Sequence, residues 1–95
     1  MEEWDFEDNE CWTSPNPELL MFDGVLDGER FVFAISQVAL NDFYRTADTP
    51  DDAVNNYLNN SGAVEGVAVQ FAREFEPNRE VPHYLISSNE FRRLA

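Results

Sequence analysis

The stretch GERFVFAISQVALNDFY, residues 28–44, changes its repeat in the middle. Residues 31–35 are apolar without interruption. After Ile35 the apolar positions Ala39, Leu40, Phe43 and Tyr44 keep a helical three-and-four spacing, with Gln37, Asn41, Asp42 and Arg45 on the opposite side. A strand therefore runs straight into a helix. Ser36 stands at the junction, where its hydroxyl can accept a hydrogen bond from an unpaired amide of the first helical turn.

Working backwards, two Asp-Gly pairs compete for the turn before this strand, since either Asp23-Gly24 or Asp27-Gly28 can supply the positive φ angles of a two-residue hairpin loop. Pairing decides for Asp27-Gly28. It sets Leu26, Gly24, Phe22 and Leu20 opposite Glu29, Phe31, Phe33 and Ile35, which makes one almost wholly apolar face. The other face combines Val25, Asp23, Met21 and Leu19 with Arg30, Val32, Ala34 and Ser36. Gly24 then lies across from Phe31, where a missing side chain lets a ring cover the backbone.

Working forwards, Thr49-Pro50-Asp51-Asp52 is a helix start: a capping Thr, Pro at the first helical position, and acids at the positive end of the dipole. Val54, Tyr57, Leu58, Ser61, Val64, Ala68, Phe71, Ala72 and Phe75 continue the helical spacing. The spacing predicts one helix of about 25 residues, with Ser61-Gly62 as the place for a kink. Residues 76–82 carry two Pro and an Asn and form a loop. Residues 83–87 read as a short strand, and Ser87 with Glu90 has capping-box spacing for a last helix that ends on Arg92 and Arg93. At the front, Trp4 and Phe6 alternate with acids as in an edge strand, and residues 13–17 read as a turn. The expected fold is α+β, one domain over residues 1–95: a small antiparallel sheet packed against a short and a long helix, in the order β-β-β-α-α-β and a final α, with an acidic strand or arm at about residues 1–12.

Nineteen acids against six Arg and no Lys give a formal charge of −13, and residues 1–29 hold ten of those acids and no Arg. Such a charge argues against direct contact with nucleic-acid phosphates or anionic lipid. Cys11 is the single cysteine, so an internal disulfide is excluded. No apolar run approaches a membrane span, and no basic leader precedes one, so a cytoplasmic protein is expected.

Several of these parts together resemble a family of short bacterial proteins known as domain of unknown function 1488. They are Trp4-Asp5, the strand into Asp27-Gly28, Phe33-Ala34-Ile35-Ser36 followed by Ala39-Leu40, the long helix, and Leu85-Ile86-Ser87-Ser88 leading to Phe91. The resemblance implies an α+β fold and a bacterial source, and it carries no catalytic or binding residue over. This chain departs from the family in the long helix, where Asn55, Asn56, Asn59 and Asn60 stand in place of a richer Arg and Glu pattern.

Residues that could carry chemistry are few. His83 is the single histidine, which with one cysteine excludes a His-rich or Cys-rich zinc site, and it is read as an ordinary strand residue. Asp23 and Asp27 lack the ligand order of a calcium loop, and the four glycines are too scattered for a phosphate loop. No cofactor and no catalytic residue is expected. The four asparagines, with Asp51 and Asp52, form a polar stripe read first as a solvated face and second as a recognition surface. Residues 31–35 are apolar on both sides, whereas one layer of helices covers one side only, so Met21, Val25, Val32 and Ala34 are the other candidate contact surface, open to a second copy as a homodimer. The functional expectation is a non-enzymatic module that binds another protein. The alternatives are an acidic mimic of nucleic acid, suggested by Glu2, Glu3, Asp5, Glu7, Asp8 and Glu10, and, behind it, an enzyme of unknown chemistry.

Overall fold

The computed structural model describes residues 3–6 and 10–95 and shows an α+β domain with a mixed sheet. The chain runs through β1 (Trp4–Asp5), β2 (Cys11–Ser14), β3 (Leu19–Leu26), β4 (Glu29–Ser36), α1 (Gln37–Phe43), α2 (Pro50–Asn59), α3 (Ser61–Glu74), β5 (Tyr84–Ile86) and α4 (Ser88–Leu94). The hairpin of β3 and β4 has the register read from the sequence, Phe22 opposite Phe33 and Leu26 opposite Glu29. Asp27 and Gly28 both take positive φ, 54° and 81°, as the tight turn requires. β1 and β2 both pair antiparallel with the outer edge of β3, and β5 pairs with β4.

Three expectations are corrected. Residues Thr13 and Ser14 belong to β2 and not to a turn; the loop begins at Pro15. β5 runs parallel to β4, so the sheet is mixed and not purely antiparallel. The chain leaves β4 through three helices before it returns, which is the long crossover a parallel neighbour needs. The long helix is two helices. Asn60 ends α2 with φ −131°, and its side-chain amide donates to the Asn56 carbonyl at 3.0 Å. The same carbonyl also accepts the Asn60 backbone amide at 3.1 Å, so Asn60 caps α2 twice, and α3 starts at the next residue.

The capping residues act as read. Ser36 accepts from the Ala39 amide, Thr49 from Asp52 and Ser87 from Glu90. All four helices contribute to one core with the inner sheet face: Leu20, Phe22, Phe33 and Ile35 meet Leu40, Tyr57, Val64, Phe71 and Phe91. Rings dominate its centre. Phe33 lies 5.4 Å from Phe22, 5.0 Å from Tyr84, 5.3 Å from Trp4 and 5.8 Å from Phe6, ring centre to ring centre.

Trp4 and Phe6 close this core from β1, a strand held to β3 by only two residue pairs. The Trp4 Nε1 is buried and, among the described residues, has no acceptor, so the Trp4 side chain is held by ring packing and not by a hydrogen bond of its own. Gly24 makes room for it. A Cβ at Gly24 would stand 2.6 Å from Phe6 Cε1, so Gly24→Ala must displace the Phe6 ring. The expected result is a loss of about 1–3 kcal/mol with Trp fluorescence shifted to the red as the arm lifts. Unchanged emission and an unchanged urea midpoint would show that Phe6 does not pack there.

Candidate protein-interaction surface

Because side chains alternate along a strand, residues paired across the sheet share a face. Trp12, Met21, Ala34 and Leu85 form one row across β2, β3, β4 and β5 on the side away from the helices. Val32 and Leu19 flank it, and Val25 lies further along β3. Met21, Val32 and Ala34 form a small second cluster with Leu19 against it, and no helical residue belongs to that cluster. The face is therefore an apolar sheet surface without a helical cover.

The candidates named from the sequence divide here. Val25 is exposed, whereas Met21, Val32 and Ala34 are buried, packed flat against their neighbours on the sheet. What protrudes is the rim: Trp12 and Val25 are 37% exposed and Leu85 48%. Trp12 and Leu85 were not among the expected residues. A fourth strand read through residues 11–14 would have put Trp12 beside Met21, and the alternation of Tyr84, Leu85 and Ile86 already marks Leu85 as facing away from the core.

The charge of this face is low. Its outward strand positions carry Asp5 and Asp23 against Arg30, which leaves −1 in a chain of −13. Arg30 Nε donates to Asp23 Oδ2 across the hairpin. The pair is exposed and adds little stability, yet it removes a bare acid from the middle of the face.

The asparagine stripe is not one surface. Asn55 and Asn59 are exposed and Asn60 is half-buried at the helix junction, whereas Asn56 is buried. Asn56 Nδ2 donates to Asn41 Oδ1 at 3.0 Å and to Thr46 Oγ1 at 2.9 Å. Gln37 and Asn41, expected on the solvated side of α1, are buried with it. Gln37 Nε2 donates to Asp48 Oδ1 and Glu18 Oε2, and Asn41 Nδ2 donates to the same Asp48 oxygen and to the Thr49 carbonyl. These amides face inward because the loop of residues 44–49 folds back over them and supplies their partners. They join α1 to α2 and, of the four asparagines, leave Asn55 and Asn59 exposed.

His83 precedes β5 and is committed to the scaffold. Its Nδ1 accepts the Val32 amide at 2.9 Å and its own amide donates to the Val32 carbonyl at 2.9 Å, so the ring stands in for a strand partner along the edge of β4. Burial pushes the Cys11 thiol up, away from the thiolate form a nucleophile needs. Tyr57 donates to Glu65 Oε2 at 2.8 Å across the α2–α3 junction, and burial raises both groups, that of Tyr57 far above the usual phenol range. Among the described residues no group of three or more His, Cys, Asp and Glu is placed to hold a metal. Glu2, Glu7 and Asp8, half of the acids that suggested mimicry, lie outside the described residues.

Two grooves open on the helical layer. One of about 340 Å³ is apolar, between α1, α3 and α4, lined among others by Phe43, Gly62, Gly66 and Leu94. The other, of about 260 Å³, shares Phe43 and adds Asp42, Ser88 and Arg92. His83 and Cys11 line neither. No helix among the described residues is long and apolar enough to cross a membrane. No family model, no curated protein and no solved structure matches the chain.

Proposed function

We propose that this chain is a small, cytoplasmic, non-enzymatic protein-binding module, and that the helix-free sheet face is its contact surface. One observation carries the reading: a near-neutral apolar row, Trp12, Met21, Ala34 and Leu85, crosses the sheet on the side the helices leave bare. Apolar surface with little charge is what a protein partner covers with gain, and the rim side chains Trp12, Val25 and Leu85 are the ones a partner would bury. The single histidine supports a non-enzymatic role, because Nδ1 is engaged by a main-chain amide.

The test is capture from native bacterial lysate on the immobilised full chain, at low and high salt, with Val25→Glu/Leu85→Glu and Asn55→Ala/Asn59→Ala chains in parallel. A partner retained by the wild type and the asparagine variant at both salt concentrations, and lost by the sheet-face variant, is the expected result. A partner indifferent to the sheet-face variant and released by salt would overturn the reading in favour of acidic mimicry.

A further inference from the structure

We infer that the occupant of the open sheet face is a second copy of this chain, an inference that rests on reading that face as a protein contact. Two molecules that each carry −13 repel over most of their surfaces. They approach at least cost where their charge is lowest, and the outward sheet positions sum to −1. The face is also complementary to itself. A twofold axis lying in the interface, parallel to the strands and between β3 and β4, sets β3 of each copy over β4 of the other. Asp23 then stands over Val32 of the other copy, one same-face step from its Arg30, so the internal ion pair can exchange for two pairs across the interface. The exposed rim closes the contact: Leu85 of each copy stands over Trp12 of the other, and Val25 over the aliphatic part of Arg30, while the buried Met21 and Ala34 form the floor between them.

Size fixes the kind of pair this is. Strand spacing and rise give the face a footprint of about 400 Å², which is small beside the roughly 800 Å² of accessible surface that each partner contributes to a standard interface. A weak, exchanging dimer follows, populated at high concentration and without a helix or loop to lock it.

Sedimentation equilibrium of the full chain, from one micromolar to one millimolar, reads this directly. The expected mass rises from one chain to two. Because a twofold contact counts each substitution twice, Leu85→Glu weakens the dimer by about tenfold or more, while Leu58→Glu, on the helical layer and as exposed, leaves it unchanged. Asp23→Arg alone and Arg30→Asp alone each weaken it by placing like charges across the axis. Mixing those two variants restores association, since each then meets its complement. Near-UV circular dichroism checks that each variant keeps the fold. A mass of one chain throughout overturns the inference, as does a dimer sensitive to Leu58→Glu and not to Leu85→Glu. Failure of the mixture to associate overturns the twofold arrangement. If the chain stays single while a captured protein is still lost on Leu85→Glu, the second copy is wrong and the protein-contact reading survives; if neither association responds to Leu85→Glu, both are wrong.

Discussion

Phe33→Ala is expected to lower stability by about 4 kcal/mol, in a domain whose total is on the order of 5–15 kcal/mol. The side chain is fully buried, and its ring touches those of Phe22, Tyr84, Trp4 and Phe6. Removal opens a cavity at the point where the hairpin, the parallel strand and the N-terminal arm converge. The surrounding rings are held by different strands, so they cannot collapse together into the space, and the loss falls at the upper end for such changes. Urea unfolding would report it as a lower midpoint with an unchanged slope. Near-UV circular dichroism should fall as well, since the stacked pairs Phe33–Tyr84 and Phe33–Phe22 are lost. A loss below about 1 kcal/mol would mean the arm and β5 do not rest on this ring. Phe33→Leu, which keeps most of the volume, should recover more than half of the stability.

How far the sequence could be read follows from how local each signal is. The hairpin was legible because its turn, alternation and register all lie within residues 19–36. The capping residues Ser36, Thr49 and Ser87 were legible because each acts on an amide three residues away. β2 was not, because Trp4 pairs with Leu26 but Cys11 with Phe22, so the sheet edge is two short pieces in different registers, too brief for alternation to show. The break at Asn60 was expected only as a kink at Ser61-Gly62 because the apolar spacing carries through it, and the Asn60 side-chain amide bonded four residues back leaves no mark in that spacing. For the open sheet face, the sequence named Val25 of the exposed rim but not Trp12 or Leu85, since exposure at those two depends on which strands flank them. Burial of Gln37, Asn41 and Asn56 was the least legible feature. Their partners lie 5 to 19 positions away in the chain, and nothing in a polar residue's identity says that such partners will arrive.

Those buried amides carry the other large effect. Asn41 is completely buried, and its side chain uses its full capacity: both Nδ2 protons go to Asp48 Oδ1 and the Thr49 carbonyl, and Oδ1 accepts from Asn56 Nδ2 and the Thr46 hydroxyl. Asn41→Ala is therefore expected to cost about 1–3 kcal/mol, because it removes four bonds that tie α1 to the loop of residues 44–49 and to the buried Asn56 of α2. Asn41→Leu should fare no better, since shape without an acceptor leaves the buried Asn56 amide one partner short, and Asn41→Asp should be worse, with a buried carboxylate placed beside Asp48. The discriminating measurement is a double-mutant cycle with Asn56→Ala. A coupling of about 1 kcal/mol or more between the two asparagines is expected from their direct bond and shared Thr46 partner. Additive losses would mean that α1 and α2 are joined by apolar packing alone, and that the amides are merely tolerated there.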